Sequence, residues 1–136
     1  MGPVNWIAVV VAALTAGALA LAWFGPAFGP AKTRKVAAGR VMTRGRPYRI
    51  AALTAVLLLL TATMLGHFFA REGAERLAQK PWLYFMMSGG LAIAFVIPAL
   101  WISFSHIRVA TRVALIDAGY WLVAYLAMGL VFYLFG

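Results

Sequence analysis

Asp117 is the residue of this sequence whose position is hardest to explain by hydrophobic packing. It is the only acid within a long apolar stretch, residues 113–135. If that stretch crosses a membrane, the carboxylate is a candidate proton or cation site, because ionisable groups are costly to place in hydrocarbon. The alternative is a structural ion pair at the interface, since Asp117 lies about 7.5 Å beyond Arg112 along a helix. Arg49 and Arg108 would approach it from the same side.

The two histidines are the next candidates for chemistry. We expect His67 near one membrane face and His106 near the other, about a bilayer thickness apart. They therefore cannot share a metal ion, and we predict no metal site and no cofactor. His106 and Asp117 fall on one side, so a proton relay between them is geometrically open. Ser103 and Ser105, two potential nucleophiles, are expected to bond to the carbonyl four residues earlier.

The composition places these residues in a membrane protein. Hydrophobic residues make up 65% of the chain and charged residues 11%, whereas soluble proteins have roughly 45–50% and about 25%. A length of 136 residues suffices for one domain. The net charge of +9 lies beside apolar stretches, so anionic lipid accounts for it and we do not expect nucleic acid as a partner. No cysteine is present, which excludes thiolate chemistry.

Four apolar stretches predict the fold. Each is longer than the roughly 20 residues that cross a hydrocarbon core of about 30 Å. We therefore predict an all-α integral membrane protein with four transmembrane helices in an antiparallel bundle. The whole chain, residues 1–136, would form this one domain. The predicted helices cover about residues 4–24, 48–70, 82–104 and 113–135.

A basic segment after the first helix orients the bundle. The loop at residues 25–47 and the start of the next helix contain seven basic residues and no acid: Lys32, Arg34, Lys35, Arg40, Arg44, Arg46 and Arg49. Short loops rich in Lys and Arg stay in the cytoplasm. We therefore predict a bacterial inner-membrane protein with both termini periplasmic or extracellular. The same seven side chains are expected to contact anionic lipid headgroups.

The third helix is the least regular. Gly89 and Gly90 remove side chains from its outer half, and Pro98 deletes a backbone donor, so we expect a kink. Interrupted helices line pathways in transporters, although Gly and Pro are also common in ordinary spanning helices. Both interpretations stand at this point.

Two other helices carry patterns that predict packing. Small residues spaced four apart let another backbone approach closely, and the second helix has such a ridge at Ala62, Gly66 and Ala70. Residues three or four apart share one helix face. The fourth helix has such a face, which we expect to turn towards the bundle, at Asp117, Tyr120 or Trp121, Ala124 and Met128.

Three stretches of the sequence resemble a known family. They are VNW at 4–6, WFGPAFG at 23–29, and IDAGYWLV at 116–123 with MG at 128–129. They resemble the small four-helix bacterial membrane proteins of domain of unknown function 1761. The resemblance implies the four-helix membrane fold and leaves the activity open. That family commonly has an amide-type residue at the position of Asp117.

Two classes of function follow from these observations. The first is a small homo-oligomeric transport or channel protein, with Asp117 and the interrupted third helix at the pathway. Oligomerisation is expected because four short helices enclose little space. The alternative is a non-catalytic membrane component that binds anionic lipid, or a partner membrane protein, through the basic loop. An enzyme acting on a lipid-soluble substrate ranks third.

Overall fold

A computed structural model of the chain describes residues 3–23 and 47–135. All regular secondary structure in these two ranges is helical. The helices are α1 (Trp6–Ala22), α2 (Pro47–Glu72), α3 (Ala74–Gln79), α4 (Trp82–His106) and α5 (Thr111–Phe135).

Three of these helices are long and apolar enough to cross a membrane. They are the stretch Ala51–Glu72 of α2, with 22 residues, and α4 and α5, with 25 residues each. Helix α1 is also apolar and has 17 residues. A hydrocarbon core of about 30 Å requires about 20 helical residues. The described part of the chain therefore has three helices of spanning length and a shorter apolar fourth.

Helix α5 lies at the centre of the arrangement. It packs against α1 on one side and against α4 on the other, while α2 packs mainly against α1. Three hydrogen bonds join α1, with the residues flanking it, to α5: Asn5 Nδ2 to the Phe135 carbonyl (3.0 Å), Tyr120 Oη to the Ala16 carbonyl (2.8 Å) and Trp23 Nε1 to the Ile116 carbonyl (3.0 Å). This order of partners shows that α1 and α5 run in opposite directions.

Small residues bring the helices close together. A Cβ atom built at Gly66 of α2 would lie 2.8 Å from a methyl group of Val9. Ala62, one turn earlier, is also fully buried. Of the small-residue ridge predicted on this helix, Gly66 contacts α1 and Ala62 is buried, while Ala70 is half-buried. On α5, the face predicted to turn inward is buried too, at Asp117, Tyr120, Ala124 and Met128.

Helix α4 contains a change of helical type. Its α-helical halves, Trp82–Leu91 and Ile97–His106, are joined by a π-helical turn over Ala92–Val96. In that turn the Ile97 N–H donates to the Ala92 carbonyl, five residues earlier. Pro98 follows directly and has no N–H to continue the α-helical pattern. The irregularity expected at Pro98 therefore takes the form of a π turn.

A short helix connects α2 to α4. Gly73 separates α2 from α3 and has a positive φ of 90°, a conformation that glycine adopts without steric cost. Arg76 and Glu72, which are four residues apart, form an ion pair with 3.3 Å between Nε and Oε2. Leu77 is buried. The connection between α2 and α4 is therefore a helix that packs one apolar side chain against the bundle.

Candidate functional site

Asp117 lies on the buried face of α5, with 8% of its surface exposed. The preceding carbonyl, that of Ile116, accepts the indole N–H of Trp23. The indole ring also covers Gly119, where a Cβ atom would lie 3.2 Å from Trp23 Cζ2. Asp117 takes part in a further interaction of its own. Asp117 thus lies between two residues of α5, Ile116 and Gly119, that Trp23 at the end of α1 contacts.

Aromatic side chains continue this junction along α5. Tyr120 is buried and donates to the backbone of α1. Its ring meets the ring of Trp121 edge-on, with 5.1 Å between the two ring centroids. The ring centroids of Trp121 and Tyr125 are 6.4 Å apart. The hydroxyl and indole donors at this junction reach backbone carbonyls of the neighbouring helix. Such bonds stabilise helix association, because unpaired polar groups in hydrocarbon are costly.

The cations proposed as partners of Asp117 are on the surface. Arg49, Arg108 and Arg112 are all exposed, and they lie at the end of the bundle where α2 and α5 begin. Their ion pairing with Asp117 stays a prediction. The other six basic residues of the predicted headgroup contact lie outside the described residues: Lys32, Arg34, Lys35, Arg40, Arg44 and Arg46.

The two histidines lie at opposite ends of the bundle, each near the C-terminal end of its own helix. His67 Nδ1 lies 2.8 Å from the Thr63 carbonyl, and its ring meets the edge of Trp6 at 5.9 Å. His106 ends α4 and is exposed. Within residues 3–23 and 47–135, no group of three His, Asp or Glu side chains converges as metal ligands. A relay from His106 to Asp117 stays a prediction. Ser105 bonds to the Trp101 carbonyl at 2.7 Å, as expected from its sequence position.

The glycines and the proline of α4 fall into different environments. Gly89 is buried, and a Cβ there would lie 2.9 Å from a methyl group of Leu126. Gly90 points to open space. Ser88, beside them, is fully buried and donates to the Tyr84 carbonyl at 2.7 Å. Ser88 and Gly89 therefore contribute to close packing between α4 and α5, while Gly90 and Pro98 lie on the exposed surface.

An open groove separates α2 from α4. It has a volume of about 400 Å³. Its lining includes Tyr125 of α5, which interacts with Thr61. Thr61 Oγ1 in turn donates to the Leu57 carbonyl at 3.0 Å. The groove is lined by Leu60, Thr61, Met64, Leu65, Phe68, Leu91, Phe95, Val96 and Tyr125.

A second depression lies at the end where α1 begins and α5 finishes. Its volume is about 380 Å³. Asn5 and Phe135 line it together with Leu77 of α3. Asn5 also caps α1, because its Oδ1 accepts the Ala8 N–H at 3.1 Å. The polar side chain of Asn5 thus serves two structural bonds, one in its own helix and one to α5.

Sequence reasoning missed the groove and the bond from Trp23 to α5. The groove depends on how far apart α2 and α4 lie, and no local pattern encodes that distance. The family motifs at 23–29 and 116–123 contained a partial signal for the contact between α1 and α5. Trp23 and Gly119 belong to two different motifs and contact each other in the structure. Their joint presence pointed to a contact between the first and last helices.

The described helices define an integral membrane protein of the multi-pass, all-helical class. The sequence matches the family model described as "Protein of unknown function (DUF1761)" over residues 7–133. The chain therefore belongs to the DUF1761 family, and the resemblance carried by the three motifs is confirmed. Comparisons with curated proteins and with solved structures gave no match. The family description names no activity, so function has to be argued from the residues.

Proposed function

We propose that this protein is a non-catalytic component of the bacterial inner membrane that binds anionic lipid at its bilayer-facing surfaces. Its helices would cross the membrane four times as an antiparallel bundle. The observation that carries the proposal is the contrast between the buried inward face of α5 and the arginines exposed at one end of the bundle. Among the described residues, the inward face of α5 is filled by side chains, whereas these arginines are open to the surroundings of the bundle.

The interior of the described bundle is filled by side chains. Ala124 and Met128, on the inward face of α5, are both 0% exposed. Among the described residues, the buried polar or charged side chains are Ser88 and Asp117. Ser88 is satisfied by the backbone of its own helix. Conduction of ions requires a series of polar or hydrated sites, and the filled interior supports a component that acts at its surface instead.

Charge at the helix ends supports anionic lipid as the ligand. Arg49, Arg108 and Arg112 are exposed at one end of the bundle, the end to which the basic loop at 25–47 is joined in sequence. Each basic residue near an anionic membrane surface contributes about 1 kcal/mol of attraction. By the positive-inside rule this end faces the cytoplasm, and both termini lie outside.

Lipid retention tests the binding. The triple variant Arg40→Gln, Arg44→Gln, Arg46→Gln should retain several-fold less phosphatidylglycerol than the wild type after purification, measured by native mass spectrometry. Phosphatidylcholine retention should stay constant. The control variant Arg76→Gln, Lys80→Gln removes charge at the other end of the bundle and should change retention less. Equal phosphatidylglycerol retention by the triple variant and the wild type would remove the basic loop as a lipid contact.

Cysteine labelling tests the orientation. The chain contains no cysteine, so single substitutions can be labelled without background. In intact cells, a membrane-impermeant maleimide should label Lys80→Cys and should not label Arg108→Cys until the membrane is opened. The reverse pattern would contradict the proposed orientation.

Transport by a homo-oligomer is the second candidate, and the burial of Asp117 is the observation that favours it. An acid inside a spanning helix is a functional candidate by default, and a subunit interface would supply the space that one bundle does not. This candidate predicts that Asp117→Asn changes proton or cation flux in proteoliposomes while the helical content is unchanged. Unchanged flux would leave Asp117 a structural residue.

A further inference from the structure

The groove between α2 and α4 is a concave surface within the hydrocarbon-facing part of the protein. Its volume of about 400 Å³ falls within the range of small-molecule sites, about 300–1,000 Å³. Leu60 and Met64 form one exposed wall and Phe95 the other. Helices α2 and α4 do not close over it.

The groove has few polar groups. Its hydroxyls belong to Tyr125 and Thr61, which interact with each other, and the Thr61 hydroxyl donates to the Leu57 carbonyl. The remaining lining side chains are apolar. An occupant therefore needs no hydrogen-bonding groups along the groove, which suits an acyl chain better than a polar solute.

A cation lies beyond one end of the groove. Arg71 is three residues after Phe68 and seven after Met64, so it shares their face of α2. It is exposed, and the neighbouring acid, Glu72, is paired with Arg76 at 3.3 Å. Arg71 lies about 16 Å from Leu60 along the helix axis. The face thus combines a long apolar surface with a cation at its membrane end, which is the complement of an anionic phospholipid.

We infer that this groove binds an anionic phospholipid, with one acyl chain between α2 and α4 and the headgroup phosphate at Arg71. The surrounding lipid is as apolar as the groove, so burial of the chain alone gives little preference. The preference comes from the charge of Arg71 and from a wall that is already formed. The π turn shapes that wall, since Phe95 and Val96 belong to it.

Photolabelling of the full-length protein tests the site. The probes are phosphatidylglycerol and phosphatidylcholine with a photoactivatable group in one acyl chain, each in vesicles with the reconstituted protein. Labels should concentrate in residues 60–68 and 91–96, with phosphatidylglycerol preferred. Arg71→Gln should lower that preference about fivefold, the factor that one basic residue contributes near an anionic surface. Arg49→Gln, an exposed cation at the other end, should leave it unchanged.

A second variant tests the site by filling the groove with a larger side chain. Met64→Trp adds bulk in the groove, whereas Met86→Trp adds the same bulk on α4 outside it; the two methionines are 56% and 52% exposed. The first variant should lose the groove labels and the second should keep them. Uniform labelling around the bundle would overturn the proposal, as would an unchanged preference in Arg71→Gln. Crosslinks between two protein chains at these residues would assign the groove to a second copy and also overturn it.

This site is independent of the basic loop. If the triple variant Arg40→Gln, Arg44→Gln, Arg46→Gln loses lipid retention but keeps the groove labels, the groove site stands as a separate one. If the groove labels are absent while retention still depends on the loop, the groove inference fails and the proposed function survives.

Discussion

Gly129 shows at the scale of one atom how closely α4 and α5 approach. A Cβ atom there would overlap the Ser88 hydroxyl and lie 2.9 Å from the Tyr84 carbonyl oxygen, a backbone atom with little freedom to move. We therefore expect Gly129→Ala to lower the free energy of unfolding by about 1–3 kcal/mol. Gly90→Ala is the matched control, because Gly90 faces open space. Unfolding in mixed detergent measures both, and equal stability of the two variants would contradict this packing.

Tyr120 provides a second test at the residue scale. Its hydroxyl donates to the Ala16 carbonyl across the α1–α5 contact. Tyr120→Phe should keep the ring in place and cost about 0.5–1.5 kcal/mol of unfolding free energy. Tyr133→Phe changes an exposed hydroxyl on the same helix and should have no measurable effect. A larger loss from Tyr133→Phe would be inconsistent with the bond that joins the two helices.

The candidate residues were easier to predict than their partners. Asp117 stands out in the sequence because an acid interrupts an apolar stretch. Trp23, which lies next to this part of α5 in space, does not stand out in the sequence. It donates to the Ile116 carbonyl from 93 positions away along the chain. Trp23 has the sequence position of a residue that marks the membrane interface. Trp23 can donate to α5 only because of how α1 is rotated about its own axis relative to α5. The local periodicity of the sequence does not determine that rotation.

Helix α3 is the element that a single side chain holds to the bundle. Leu77 is buried, while Arg76 and Lys80 around it are exposed. Leu77→Ala removes that anchor and should raise the rate of trypsin cleavage after Arg76 about tenfold, since even 1.4 kcal/mol of lost packing has that effect. Gln79→Ala, an exposed change on the same helix, is the control. An unchanged cleavage rate for Leu77→Ala would show that α3 is held by other contacts.

At the scale of elements, the existence of the helices follows from the sequence but their spacing does not. Long apolar stretches predict spanning helices because the backbone must satisfy its hydrogen bonds internally in lipid. Pro98 likewise predicts an irregularity in α4. The groove could not be predicted, because α2 and α4 have apolar residues on all faces. Such helices give no signal of which face is covered by protein and which by lipid.

At the scale of the whole molecule, the described residues combine a buried interior face with charged and apolar surfaces at the periphery. One face of α5 is buried against its neighbours, and the hydrogen bonds that Trp23 and Tyr120 make around it reach backbone carbonyls. Cations lie at the ends of the helices, and an apolar groove lies between α2 and α4. This arrangement supports our proposal that the protein acts through lipid at its surface, with no aqueous pathway through the described helices of one subunit.

The most direct test is the water accessibility of the inward face of α5. Ala124 is 0% exposed and lies at the middle of that face. In native membranes, Ala124→Cys should not react with a charged, water-soluble thiol reagent, while Lys80→Cys should react readily and both should react after denaturation. Reaction of Ala124→Cys at a rate comparable to that of Lys80→Cys would reveal a water-filled pathway. That result would contradict the closed interior and favour transport.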